Sequence, residues 1–147
     1  MAVSAGVYAM YENAFTVGKL GKTSTAVDMV PVAEMETFEP VFEGDIQEWS
    51  PMSAKGWMKR KKTGNDLKIT VTGKRYIGDE GNDFIAETAW KVGDGCETPV
   101  KWTFPNGDSM AFDAVVNVTS GGGDSKNLDP LVFELLCNGE PVYTAAP

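Results

Sequence analysis

At 147 residues, with 42% hydrophobic and 23% charged side chains, the chain has the size and composition of one domain that buries a core without metal or disulfide support. Thirteen basic against 21 acidic residues give a net charge of -8, which as a whole repels nucleic acid, and no apolar run approaches the ~20 residues of a membrane span. Histidine is absent, which removes the side chain most used for proton transfer near neutral pH and the commonest metal ligand, so neither catalysis nor a cofactor or metal is expected.

The first residues lack a basic leader segment and carry Glu12, so export is not expected and the chain should stay where it is made. Residues 1–35 read as an N-terminal arm or an edge strand, with strand-like pieces around Phe15–Val17 and Val30–Val32. Thr37 to Phe42 alternates, Phe38 and Phe42 on one face, and Ile46 and Trp49 follow Gly44, which predicts a long strand bulged at Gly44. Ser50 to Asn65 then reads as a sixteen-residue loop. Leu67, Ile69 and Val71 alternate with Lys68, Thr70 and Thr72 toward Tyr76, a second half-buried strand able to pair with the first. Asn82 to Val92 is the predicted helix, capped by Asn82, apolar along Phe84, Ile85, Thr88, Ala89 and Val92, and ended by Gly93.

Val100 to Val118 predicts a hairpin: strict alternation on both sides of Pro105-Asn106-Gly107-Asp108, with Asn-Gly supplying the positive φ angles of a tight turn. Gly121-Gly122-Gly123-Asp124-Ser125 reads as a connecting loop. Leu131 to Cys137 is apolar on both faces, as an interior strand is. Cys96 and Cys137 have no metal-like spacing and are expected as free thiols.

Few motifs suggest chemistry. Gly18-Lys19-Leu20-Gly21-Lys22-Thr23 ends like a phosphate-binding loop, but Thr16 stands where its first glycine belongs, and a surface turn is the better expectation. Asp79, Glu80 and Asp83 do not have calcium-loop spacing and suit a helix start. The segment Ser50 to Asn65 says more. It holds Lys55, Lys59, Arg60, Lys61 and Lys62 with no acid, beside Trp57 and Met58. The remainder of the chain is strongly acidic, so a protein contact is expected in preference to a nucleic-acid clamp. A basic loop meeting the acidic surface of an identical subunit would make a head-to-tail interface, which closes into rings or propagates as a filament.

Glu12-Asn13-Ala14-Phe15-Thr16-Val17-Gly18, Glu48-Trp49-Ser50-Pro51-Met52 with Lys55-Gly56-Trp57, Thr72-Gly73-Lys74-Arg75 with Gly78-Asp79 and Gly81-Asn82-Asp83, and Gly122-Gly123-Asp124-Ser125 before a strand ending Asn138-Gly139-Glu140-Pro141 resemble, in order and spacing, the tail tube proteins of long-tailed phages that infect Gram-positive bacteria. The resemblance covers nearly the whole chain. It implies a single mainly β domain over residues 1–147, a tail-tube-type sandwich or barrel with one flanking α-helix and a long inter-strand loop. It also implies hexameric rings stacked into a hollow conduit for DNA, with an electronegative lumen lined by the strands near Phe38–Trp49 and Leu67–Tyr76. Residues 50–65 would be the stacking loop, with Lys55, Trp57, Met58, Lys59, Arg60, Lys61 and Lys62 as contact residues.

The partners so implied are further copies of the chain, a tape-measure protein inside, terminator and baseplate proteins at the ends, and DNA that passes without specific binding. No membrane is involved. The location is the virion tail, after assembly in the host cytoplasm. Two alternatives remain open at this point: the inner tube of a contractile tail or phage-like bacteriocin, and a monomeric β-sandwich module binding carbohydrate or a receptor through Trp49, Trp57, Trp90 and Trp102. Trp102 alternates with core residues and Trp90 falls on the predicted helix, which leaves at most two tryptophans free for the last.

Overall fold

The computed structural model of the chain describes residues 5–146. Eight strands form one antiparallel sheet: β1 Ala14–Gly18, β2 Met29–Pro31, β3 Met35–Trp49, β4 Lys59–Lys74, β5 Glu97–Thr103, β6 Ser109–Gly121, β7 Pro130–Cys137 and β8 Val142–Thr144. The order is β2-β1-β5-β6-β7-β4-β3, with β8 continuing beside β6. One α-helix, α1 Glu80–Glu87, lies between β4 and β5 in the chain. The mainly β class with a single flanking helix is the one the sequence implies.

The alternation seen in the sequence decides which face is buried. Leu67, Ile69 and Val71 of β4, Val100 and Trp102 of β5, Phe112, Ala114 and Val116 of β6, and Leu131, Phe133 and Leu135 of β7 point inward into one core. Phe84 and Ile85 of α1 close that core from the side of β1, β2 and β6. The sheet is rolled. β1 and β3 are separated by β5, β6, β7 and β4 in the hydrogen-bonded order, yet Phe15 and Phe38 meet edge to face with centroids 4.8 Å apart. Trp102 stacks on Phe15 at 5.5 Å and meets Phe38 at 5.8 Å, so an aromatic cluster, instead of a hydrogen-bond ladder, joins the two sides of an open barrel.

The hairpin β5–β6 forms as expected, with a different turn. Only Gly107, at φ 92°, has a positive φ, while Gly107 N donates to Phe104 O and Phe104 N to Asp108 O. Asn106 stays at negative φ because its side-chain oxygen accepts the Asp108 amide at 3.0 Å. β7 is interior between β6 and β4, and both cysteines are free thiols, as expected. Of the segment expected as an arm or edge strand, residues 1–4 lie outside the described residues. Residues 14–18 are instead a strand between β2 and β5, with Val17 fully buried, and β2 is an edge strand.

Two expectations are corrected. The helix is not Asn82 to Val92. Asp79 is the N-cap, its carboxylate accepting from Asn82 N at 3.0 Å, which starts α1 at Glu80. The Asn82 side chain is fully buried and ties distant backbone together, donating to Ala33 O and Lys74 O and accepting from Tyr76 N. The α-helix ends at Glu87, where the Thr88 hydroxyl donates to the Ile85 carbonyl at 2.6 Å, and a 3-10 turn, Thr88–Trp90, follows. Ala89, Trp90 and Val92 consequently face solvent. The second correction concerns the loop at Ser50 to Asn65, whose last seven residues, 59–65, are strand.

A protruding basic ribbon as the candidate functional site

β3 and β4 pair from Met35↔Gly73 out to Trp49↔Lys59, whereas the other neighbour of β4, β7, pairs only with Lys68–Lys74. Beyond the body, Glu43–Trp49 and Lys59–Asp66 therefore form a two-stranded ribbon that extends ~20 Å at ~3.4 Å per residue. The expected bulge at Gly44 is found one step further on, on the partner strand: Asp45 pairs with Gly64 and Ile46 with Lys62, leaving Thr63 as the extra residue. Only residues 50–58 connect the strands. A 3-10 turn, Met52–Ala54, and the successive left-handed backbones of Lys55, at φ 53°, and Gly56, at φ 92°, reverse the chain, and Ser50 Oγ donates to Trp57 O at 3.3 Å.

The structure places the seven candidate residues in two groups. Lys55, Trp57 and Met58 are at the tip, and Lys59, Arg60, Lys61 and Lys62 occupy the first positions of β4. All are exposed, Trp57 by 80%. Cross-strand pairing sets Lys59 opposite Trp49, Arg60 opposite Glu48, Lys61 opposite Gln47 and Lys62 opposite Ile46. Arg60 and Glu48 form an ion pair at 3.2 Å. Among the described residues, Lys55, Lys59, Lys61 and Lys62 make no intramolecular ion pair, so the ribbon presents positive charge outward. Ile46, Trp49 and Met52 add exposed apolar surface to it, Met52 at 97%. The sequence placed Ile46 and Trp49 on the first long strand and offered Trp49 as a stacking platform, but their positions opposite the lysines follow only once residues 59–62 are recognised as strand as well.

The body has the opposite sign. On the sheet face turned away from the core, register brings together Glu39, Glu97, Asp113 and Glu134 against Lys68 and Lys101, and Glu43, Asp45 and Asp66 carry this acidic face onto the base of the ribbon, so that its positive charge is confined to the tip and the distal half. Lys68 is neutralised by Glu134 at 3.4 Å. The residues themselves pointed to this acidic sheet only as a net charge, because its members come from five strands; the resemblance alone implied an electronegative face, on β3 and β4.

The other candidates resolve into structure. Residues 18–23 are the end of β1 and a 3-10 turn, with Lys22 ion-paired to Asp94 and Glu97, whose charges raise its pKa, Asp94 foremost. Asp83 is bound by Arg75 at 2.7 Å, which together with the Gly78 amide holds its carboxyl below the usual range. Among the described residues no group of three His, Cys, Asp or Glu side chains could hold a metal ion, and no helix is long and apolar enough to cross a membrane. Trp49, Trp57 and Trp90 are all exposed, one more than the two the sequence left free, and Trp102 is buried with its indole N–H on Asn13 Oδ1 at 3.0 Å.

No protein-family model matches the chain, and no curated protein matches it. Several solved chains share its fold, among them two from gene transfer agent particles. A chain described as "Tail of empty GTA particle computed with helical refinement, C6 symmetry" superposes with a TM-score of 0.73 at 13% identity, over 95% of this chain and 100% of the other. A chain from "Virion of native gene transfer agent (GTA) particle" gives 0.71 at 12% identity, with the same coverage. At such identities the likeness establishes the fold.

Proposed function

We propose that this chain is the structural subunit of a phage-type tail tube, self-associating into rings, six subunits each, that stack into a hollow conduit for DNA. The observation that carries the proposal is the ribbon. Two strands alone are marginally stable in water, and a ribbon bearing unpaired lysines and exposed Trp49, Met52 and Trp57 is completed by a surface that is acidic and covers apolar side chains. Outside residues 50–65 the chain holds 8 basic against 21 acidic residues, so the body of a second copy offers acidic surface beyond the sheet face too. A contact between ribbon and body joins two different patches of one chain, so it is head-to-tail and propagates. The shared fold with chains from a particle tail and a particle virion, the former with C6 symmetry in its description, supports the same reading and the sixfold ring.

The acidic sheet face suits the wall of a channel through which DNA slides, since like charge prevents adhesion. Tape-measure, terminator and baseplate proteins are the further partners of such a tube, and the virion tail is its place. The test is charge reversal. Lys59→Glu, Arg60→Glu and Lys61→Glu together remove one exposed ion pair, worth ~0–1 kcal/mol, so the fold should survive. The variant is expected to melt like the parent and to form no tubes in sedimentation and electron microscopy. Tubes of normal length from it would refute the role given to the ribbon.

A further inference from the structure

The geometry points to a second half of the stacking contact: the turn Tyr76–Asp79 of one copy seats in a groove at the base of the ribbon of the next. This inference rests on the head-to-tail stacking proposed above and names the surfaces that meet. Both adjoin β4: residues 62–67, midway along the strand, line the groove, and the turn follows its last residue, Lys74. Where the ribbon joins the body, an open groove of about 880 Å³ has Phe42, Leu67, Met110, Cys137 and Pro141 on its walls, with Lys62 at the ribbon side and Asp66 and Glu140 also lining it. Phe42 is largely exposed there, an aromatic ring with no cover of its own. At its C-terminal end, ~25 Å away along Leu67–Lys74 at ~3.3 Å per residue, β4 runs out into a turn whose Ile77 is 81% exposed and whose Tyr76 is half exposed.

The turn is held by side-chain hydrogen bonds from beneath, and it leaves the isoleucine outward. Arg75 donates to Asn82 Oδ1 at 2.8 Å and to Asp83 Oδ1 at 2.7 Å. Tyr76 N donates to Asn82 Oδ1 at 3.1 Å, and Gly78 N to the Asp83 carboxylate at 3.2 Å. Asp79 caps α1 and accepts from Ala33 N at 3.1 Å. A pre-organised apolar knob loses little freedom on docking, which is what a binding element requires. Charge pairs the two surfaces at one place. Glu34 and Asp129, beside this turn, have no ion-pair partner among the described residues, and Lys62, on the ribbon side of the groove, has none either, whereas Asp66 and Glu140 line the groove elsewhere. Groove and knob are different surfaces, so a second copy is the occupant that allows each subunit to use both.

Native Cys137 in the groove allows a direct test. Ile77→Cys lies too far from Cys137 of its own chain for a disulfide, which needs Cα atoms within ~7 Å, and Cys96 is buried. Mild oxidation of assembled Ile77→Cys protein should give a ladder of covalent multimers that reductant collapses and that the added substitution Cys137→Ser abolishes. Assembled protein with no ladder, or a ladder that survives Cys137→Ser, overturns the inference and leaves the stacking proposal standing. Independently, Ile77→Asp should melt like the parent and raise the concentration needed for tubes at least tenfold. Tubes at the parental concentration would overturn the knob, whereas a parent chain that never assembles would remove the stacking proposal and this inference together.

Discussion

Trp102 joins the two sides of the open barrel, and its replacement measures how much that closure is worth. It touches Phe15 at 5.5 Å, Phe38 at 5.8 Å and Phe104 at 4.6 Å, and donates to Asn13. Trp102→Phe keeps a ring for stacking but loses the hydrogen bond, ~1 kcal/mol, and part of the filled volume, another ~1–2 kcal/mol. Trp102→Ala loses the whole side chain, ~3–5 kcal/mol, with the aromatic contacts at the upper end of that range. At ~2–4 °C per kcal/mol for a chain of this size, the melting temperature should fall by ~5–10 °C for Trp102→Phe and by at least ~10 °C for Trp102→Ala. The assay is thermal unfolding by circular dichroism at concentrations too low for assembly, since self-association would mask the loss. Emission offers a parallel readout: Trp102 is the one buried tryptophan, so Trp102→Phe should remove the blue-shifted component. Equal melting temperatures for the parent and both variants would show that the aromatic cluster does not hold β1 to β3, and the account of barrel closure would be wrong.

Phe112→Ala, at a position 5% exposed opposite Val100, should cost ~3–5 kcal/mol and sharply reduce soluble protein; unchanged melting would mean the inward face of β6 has been inverted. Asp83 has its carboxyl pKa lowered first by the Arg75 hydrogen bond, so it contributes stability that is present above the ordinary carboxylate value of ~3.9 and lost as pH falls through its folded value. Asp83→Asn should therefore be less stable than the parent near neutral pH, and the difference should narrow below about pH 4, as melting curves across pH 2–7 would reveal; a gap that stays constant would exclude the ion pair as its source. Raising ionic strength should weaken tube formation by the parent, because charges on the exposed ribbon are screened within ~10 Å at 0.1 M salt, and light scattering independent of salt would assign assembly to apolar contact alone.

What the sequence disclosed follows from where burial imposes a period. β4, β5, β6 and β7 each turn one face to the core, so Leu67-Ile69-Val71 and Met110-Phe112-Ala114 alternate visibly. The ribbon has no core to face. Lys59 to Asn65 shows no apolar period, and a strand defined only by its partner Glu43–Trp49 reads as loop. Its chemistry, basic and aromatic, was legible all the same, because composition survives an error in secondary structure. Asn82 deceived for a different reason. Asparagine suits a cap by local rule, but its partners Ala33, Lys74 and Tyr76 converge only after folding, which frees the capping position for Asp79. The exposed Ile77 had a faint signal, an apolar residue next to Gly78 at the end of an alternating strand. The acidic face had none in the residues beyond net charge, since its carboxylates are gathered by register alone, and only the resemblance implied an electronegative sheet.

Self-assembly into a tube is open to direct observation by negative-stain electron microscopy with light scattering on the purified protein across a wide range of concentration. Rings of sixfold symmetry should give way to hollow tubes as concentration rises. A chain that remains monomeric at every concentration, with its ribbon exposed and the fold intact, would contradict it.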